Sequence, residues 1–203
     1  MTAAKAAAAT TEQVLADAIT AELSELADLV EGLDSAGWDA PSLCPGWRVR
    51  EVVAHLTMPT RWSVPAVVLG MVRARFQWNE LSDRAAKKDA QLSTTQLVAD
   101  LRSAKLAAWR PPGGGAQGAL VHAVVHGLDI TVASGLDLHP PPERTRLVLD
   151  GLLDPKSLKH FGVDISDVEL RATDLDWSHG TGRPVVRTVQ ELALALSGRR
   201  SLA

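Results

Sequence analysis

Three consecutive prolines, Pro140, Pro141 and Pro142, constrain this chain more than any other feature, because the run from Gly135 to Pro142 can form neither a helix interior nor a central strand. The hydrophobic period changes across it. Before it, Leu15, Ile19, Leu23, Leu26, Val30 and Leu33 recur every three or four residues with acidic residues largely opposite, as in an amphipathic helix. After it, Val168, Leu170 and Ala172 alternate with Glu169, Arg171 and Thr173 at the two-residue period of a half-buried strand. The expected class is therefore α+β, with a helical domain over 10–138 and a smaller α+β domain over 139–203.

Within the first domain, the loop Asp39 to Trp47 carries two prolines and a glycine, and a second helix begins near Val49. Pro59 and Pro65 interrupt the chain after that helix, and the run Val67 to Ala90 reads as further helix. Another helix opens at Thr94 or Thr95 and stops at Pro111-Pro-Gly-Gly-Gly115. A last helix spans about Ala116 to Ala133, and four such helices with reversing connections describe a four-helix bundle. In the second domain, Glu143 to Leu153 reads as a short helix. Gly180 and Gly182 suit a hairpin turn into a strand at Pro184 to Arg187, and Thr188 with Glu191 forms a capping box for a final helix ended by Gly198.

The formal charge of −3 over 203 residues has no basic or acidic block behind it, so neither nucleic acid nor an anionic membrane surface is implied as a partner. No stretch approaches 18 uninterrupted apolar residues, and no spanning helix is expected. A single cysteine, Cys44, excludes an intrachain disulfide and fits a reducing cytoplasm. The sequence carries no signal for oligomeric state.

The chemistry-bearing pattern is His122 and His126, four residues apart in an apolar helix, together with His55 in the apolar run Val52 to Leu56. Residues four apart lie on one helix face, so both imidazoles can converge on one ion. A metal held by three protein ligands keeps a fourth position for water or substrate, the arrangement of a catalytic site. The same spacing also arises where two histidines pack in a core and bond to backbone or a carboxylate. Cys44 is expected to serve packing or helix entry, and Trp47 to act as a hydrophobic staple. Asp129 is expected either to orient a ligand imidazole or to hold an arginine. His139, His160 and His179 have no convergent partner in the pattern.

Three separated segments, Leu43-Cys-Pro-Gly-Trp-Arg-Val-Arg-Glu-Val-Val-Ala-His-Leu56, Val125-His-Gly-Leu-Asp-Ile130, and Leu170 to Trp177 followed by Glu191 to Arg199, resemble the mycothiol-dependent maleylpyruvate isomerase family of the DinB-like metal-binding superfamily. The resemblance implies a DinB-like four-helix bundle followed by a small domain similar to sterol carrier proteins. It also implies a divalent metal, usually zinc, at the positions of His55, His122 and His126, and a C-terminal arginine, Arg199, against substrate carboxylates. One departure is that the isomerases commonly carry a glutamate where this chain has His122. The implied activity is activation of a small thiol such as mycothiol, for transfer to an electrophile (an S-transferase) or for its isomerisation. The alternatives are a non-catalytic metal- or thiol-binding protein on the same scaffold, and metal-assisted hydrolysis, which lacks an obvious general base beside the histidines.

Overall fold

The computed structural model describes residues 3–136 and 139–202, with side chains from residue 11 onward. Helix α1 (Ala3–Glu31) starts well before residue 10, where the helical domain was expected to begin, as an alanine-rich segment allows, alanine being the strongest helix former. After the short α2 (Ser35–Trp38) and the loop 39–48 come α3 (Val49–Leu56) and the single turn α4 (Met58–Arg61). The segment 67–90, expected as continuing helix, is two helices, α5 (Val64–Arg73) and α6 (Trp78–Asp89). The break falls where Arg75 and Phe76 both take left-handed backbone, with φ of 51° and 61°. The next expected helix is likewise divided into α7 (Thr94–Leu101) and α8 (Ala104–Ala107), because Ser103 caps a new start by accepting the Leu106 amide at 3.2 Å. Helix α9 (Gly115–Ser134) closes the helical series close to its expected bounds.

Beyond the prolines lie α10 (Pro142–Leu152) and α11 (Pro155–Phe161), the latter not anticipated, then β1 (Val168–Ala172), β2 (Ser178–Gly180), β3 (Arg183–Arg187) and α12 (Val189–Leu196). The sheet order is β2-β1-β3. Here the expected hairpin is corrected. The two glycines do not turn a strand back onto its neighbour; they carry the chain from β2 to β3 past the start of β1, whose partner β3 is parallel. At Gly182 a Cβ would lie 2.2 Å from the Asp167 carbonyl oxygen, and φ is +128°, so only glycine makes that passage. The Thr188 cap is as expected: Thr188 accepts the Glu191 amide and Glu191 accepts the Thr188 amide.

By Cα proximity the chain forms two compact units. One takes the chain up to Ala18, then Arg110–Leu128 and everything from His139; its segments come from both sides of the proline run. Its interior includes Leu120, Val148, Leu149, Leu152, Leu170 and Leu192. The other takes Ile19–Trp109 and the end of α9 from Asp129, with Leu26, Val30, Val52, Val53, Leu97 and Leu101 inside. In this second unit Arg61 is half-buried and tied to two carboxylates. Its guanidinium pairs with Asp89 at 3.1 Å and with Asp100, and donates to the Ala54 carbonyl and the Thr57 hydroxyl at the end of α3.

Candidate metal centre

Helix α3 sets the place of His55 through its first turn. Glu51 reaches back to the Arg48 amide at 2.8 Å and takes two further bonds from the Arg48 guanidinium, which closes the helix start. Burial alone would push the Glu51 carboxyl up, but the Arg48 bonds hold it below the ordinary carboxylate range. One turn later His55 is 8% exposed, between buried Ala54 and Leu56. Its ring meets Trp47, with centroids 5.1 Å apart and planes tilted by 51°. Trp47 is fixed in turn by its indole N–H, which donates to Asp83 at 2.9 Å. The tryptophan expected as a staple is thus a wall for an imidazole.

On α9, His122 and His126 are half-buried, and their rings meet edge to face at 4.9 Å. That contact is what a four-residue spacing on a helix produces. Nitrogen donors of this kind suit zinc and other borderline divalent ions.

Cys44 and Asp129, which belong to the same unit, form a second pair of donors. Cys44 Sγ donates to Asp129 Oδ2 at 3.0 Å, and Asp129, fully buried, also gives its carbonyl to the Leu43 amide at 2.9 Å. The loop that delivers Cys44 is closed on itself by Ser42, which accepts the Cys44 amide and donates to the Trp47 carbonyl. Neither role expected for Asp129 involved the cysteine. The signal was the turn chemistry of Cys44-Pro-Gly-Trp47, which fixes where both the thiol and the indole point.

Arg199 lies just past the end of α12, where its guanidinium sits 5.6 Å over the Phe161 ring and donates to the Ser197 carbonyl at 2.7 Å. His160 packs edge-on to Phe161 and His179 stacks on Trp177.

Residues 19–111 match the family model described as the mycothiol maleylpyruvate isomerase N-terminal domain. That segment is similar to the family's N-terminal domain. His55 lies inside the matched residues, and His122 and His126 lie beyond them. Two uncharacterised proteins of Mycobacterium tuberculosis, from two strains, are each 27% identical over 91% of this chain and 85% of their own length. Among solved structures, the mycothiol-dependent maleylpyruvate isomerase and a histidine-to-alanine mutant of it superpose with a TM-score of 0.60. Each is 14% identical, over 94% of this chain and 90% of theirs. The isomerase fold, a helical bundle with a small sheet, is therefore the fold of this protein.

Proposed function

We propose that His55, His122 and His126 hold a divalent metal, zinc by donor preference, and that the protein uses it to activate a low-molecular-weight thiol of the mycothiol type for transfer to, or isomerisation of, a small electrophile. The observation that carries this reading is the pair His122 and His126 on one face of α9, their rings edge to face at 4.9 Å, and the buried His55 within the segment that matches the family model supports it. When bound, such an ion lowers the pKa of a thiol it contacts, so that thiolate is available near neutral pH. The isomerase family match and the shared fold support a thiol as cosubstrate.

The chain's own residues have distinct parts in this scheme. Three neutral imidazoles leave the charge of the ion undiminished, where a carboxylate at position 122 would offset part of it. Trp47, anchored on Asp83, holds the His55 ring in place. Cys44 is already committed as a donor to Asp129, which leaves the nucleophile's role to the exogenous thiol. Arg199 is assigned to a substrate carboxylate, for which a guanidinium fork is suited. No helix among the described residues is long and apolar enough to cross a membrane, and we place the enzyme in the cytoplasm.

The test is metal content by mass spectrometry together with mycothiol consumption by a bromobimane. The native chain should retain about one equivalent of zinc and accelerate alkylation of the thiol. His55→Ala, His122→Ala and His126→Ala should each lose the metal and the acceleration, while Cys44→Ala keeps both. Metal lost on Cys44→Ala but kept on His55→Ala would move the centre to Cys44 and Asp129. Metal and mycothiol binding without any product would establish the non-catalytic alternative.

A further inference from the structure

Helix α5 is built the wrong way round for a helix that only packs. Its close approach is made by Gly70, where a Cβ would lie 2.5 Å from Leu81 and 3.2 Å from Trp62, so the helix presses its smallest residue inward. Its bulk faces out. None of its residues is buried, and Val64, Val68 and Val72, spaced by four on one face, are 77%, 58% and 54% exposed, with Leu69 beside them. The stripe continues past the helix end into Phe76, 74% exposed, and Trp78. Phe76 is held outward by the left-handed backbone at Arg75 and Phe76, a conformation that a merely connecting turn would give to glycine or asparagine. A continuous exposed apolar surface of this kind marks a contact.

The charges around it choose the occupant. From 62 to 79 the chain has no carboxylate and two cations, Arg73 and Arg75, both exposed. Neither forms an ion pair among the described residues, whereas the nearby Arg84 and Lys87 are matched locally by Glu80 and Asp83. A second copy of the chain meeting this stripe face to face would bring the same carboxylate-free surface to the arginines, since a two-fold contact uses one patch twice. An anionic lipid surface supplies both requirements, apolar depth for the valines and phosphates for the arginines, with aromatic residues at the level of the headgroups.

We propose that the α5 stripe, Val64, Val68, Leu69, Val72 and Phe76 with Arg73 and Arg75, docks the protein peripherally on membranes rich in anionic phospholipid. The net charge of −3 gives no hint of this, because the two unmatched cations are local to the stripe. The docking is independent of the metal centre.

Co-sedimentation of the full chain with vesicles tests it, using equal parts phosphatidylglycerol and phosphatidylcholine against phosphatidylcholine alone. The native chain should partition at least about tenfold more strongly into the anionic vesicles, and less so at high salt. Arg73→Gln with Arg75→Gln should weaken that partition by about fivefold per arginine. Val68→Glu with Phe76→Ser should reduce it at least about tenfold, and both changes lie on exposed positions, so circular dichroism should be unchanged. Equal partition into both vesicle types, no partition at all, or partition insensitive to Val68→Glu with Phe76→Ser overturns the proposal. So does a dimer in light scattering that these substitutions dissolve while vesicles take up neither protein.

Discussion

Helices α3 and α5 belong to the same compact unit and invert the usual relation between composition and burial. Helix α3 carries an arginine, a glutamate and a histidine in eight residues, yet all but Arg50 are buried. Helix α5 is almost wholly apolar until its last residue, yet none of its residues is buried. The difference lies in what meets each helix. The inward groups of α3 meet specific neighbours: Glu51 accepts from Arg48, the His55 ring packs on Trp47, and the Ala54 carbonyl accepts from Arg61. Helix α5 meets its neighbours through a glycine, which admits close approach but hides little area. Apolarity supplies the drive to bury, and the partners decide which surface goes in.

The largest expected effect is at the cation that closes α3. Arg61→Met would leave Asp89 and Asp100, each nearly buried, without their guanidinium and should lower the unfolding free energy by about 3–5 kcal/mol. Chemical denaturation measures it. If the loss were under about 1 kcal/mol, the partners would not be what keeps α3 inside. Next comes a direct pairing of the two helices. Leu56→Ala in α3 should cost about 2–5 kcal/mol, and Leu69→Ala in α5 no more than about 0.5 kcal/mol. Equal losses would erase the contrast.

Much of this was legible from the chain. The shared face of His122 and His126 on α9 could be read because a four-residue period fixes a helix face whatever the helix packs against. The capping box at Thr188 could be read because it is local. The outward face of α5 could not, since Val64 to Val72 looks like any core helix and only Gly70, at 2.5 Å from Leu81, shows which side approaches. The break at Arg75 and Phe76 was hidden for a related reason: neither residue favours left-handed backbone, so no turn signal marks it. The tie between Cys44 and Asp129 joins residues 85 apart in sequence, beyond the reach of any periodicity.

A pH titration sharpens the α3 side of the comparison. The Glu51 carboxyl is buried, which would raise its pKa, but its bonds to Arg48 hold it below the ordinary value. A depressed carboxylate contributes stability that is complete above the usual range near about 4.3 and disappears as pH falls through the folded value. Glu51→Gln should therefore lower stability at neutral pH by about 1 kcal/mol, as loss of a cap does, and flatten the acid limb of the stability curve. An acid limb identical in both proteins would assign it to other carboxylates.

The smallest effect is expected at the end of α5, where Phe76→Gly removes a side chain that is 74% exposed and a left-handed backbone at φ 61°. Relief of that conformation is worth roughly 1–2 kcal/mol, and the extra freedom of glycine in the unfolded chain takes back about 0.5–1 kcal/mol. Little packing is lost, so Tm should stay level or rise by up to about 3 °C in a chain of this size. A rise means the native fold tolerates strain there to keep an aromatic ring in solvent, which a purely structural turn has no reason to do. A fall of several degrees would instead mean that Phe76 packs on the protein, and the outward stripe of α5 would end at Val72.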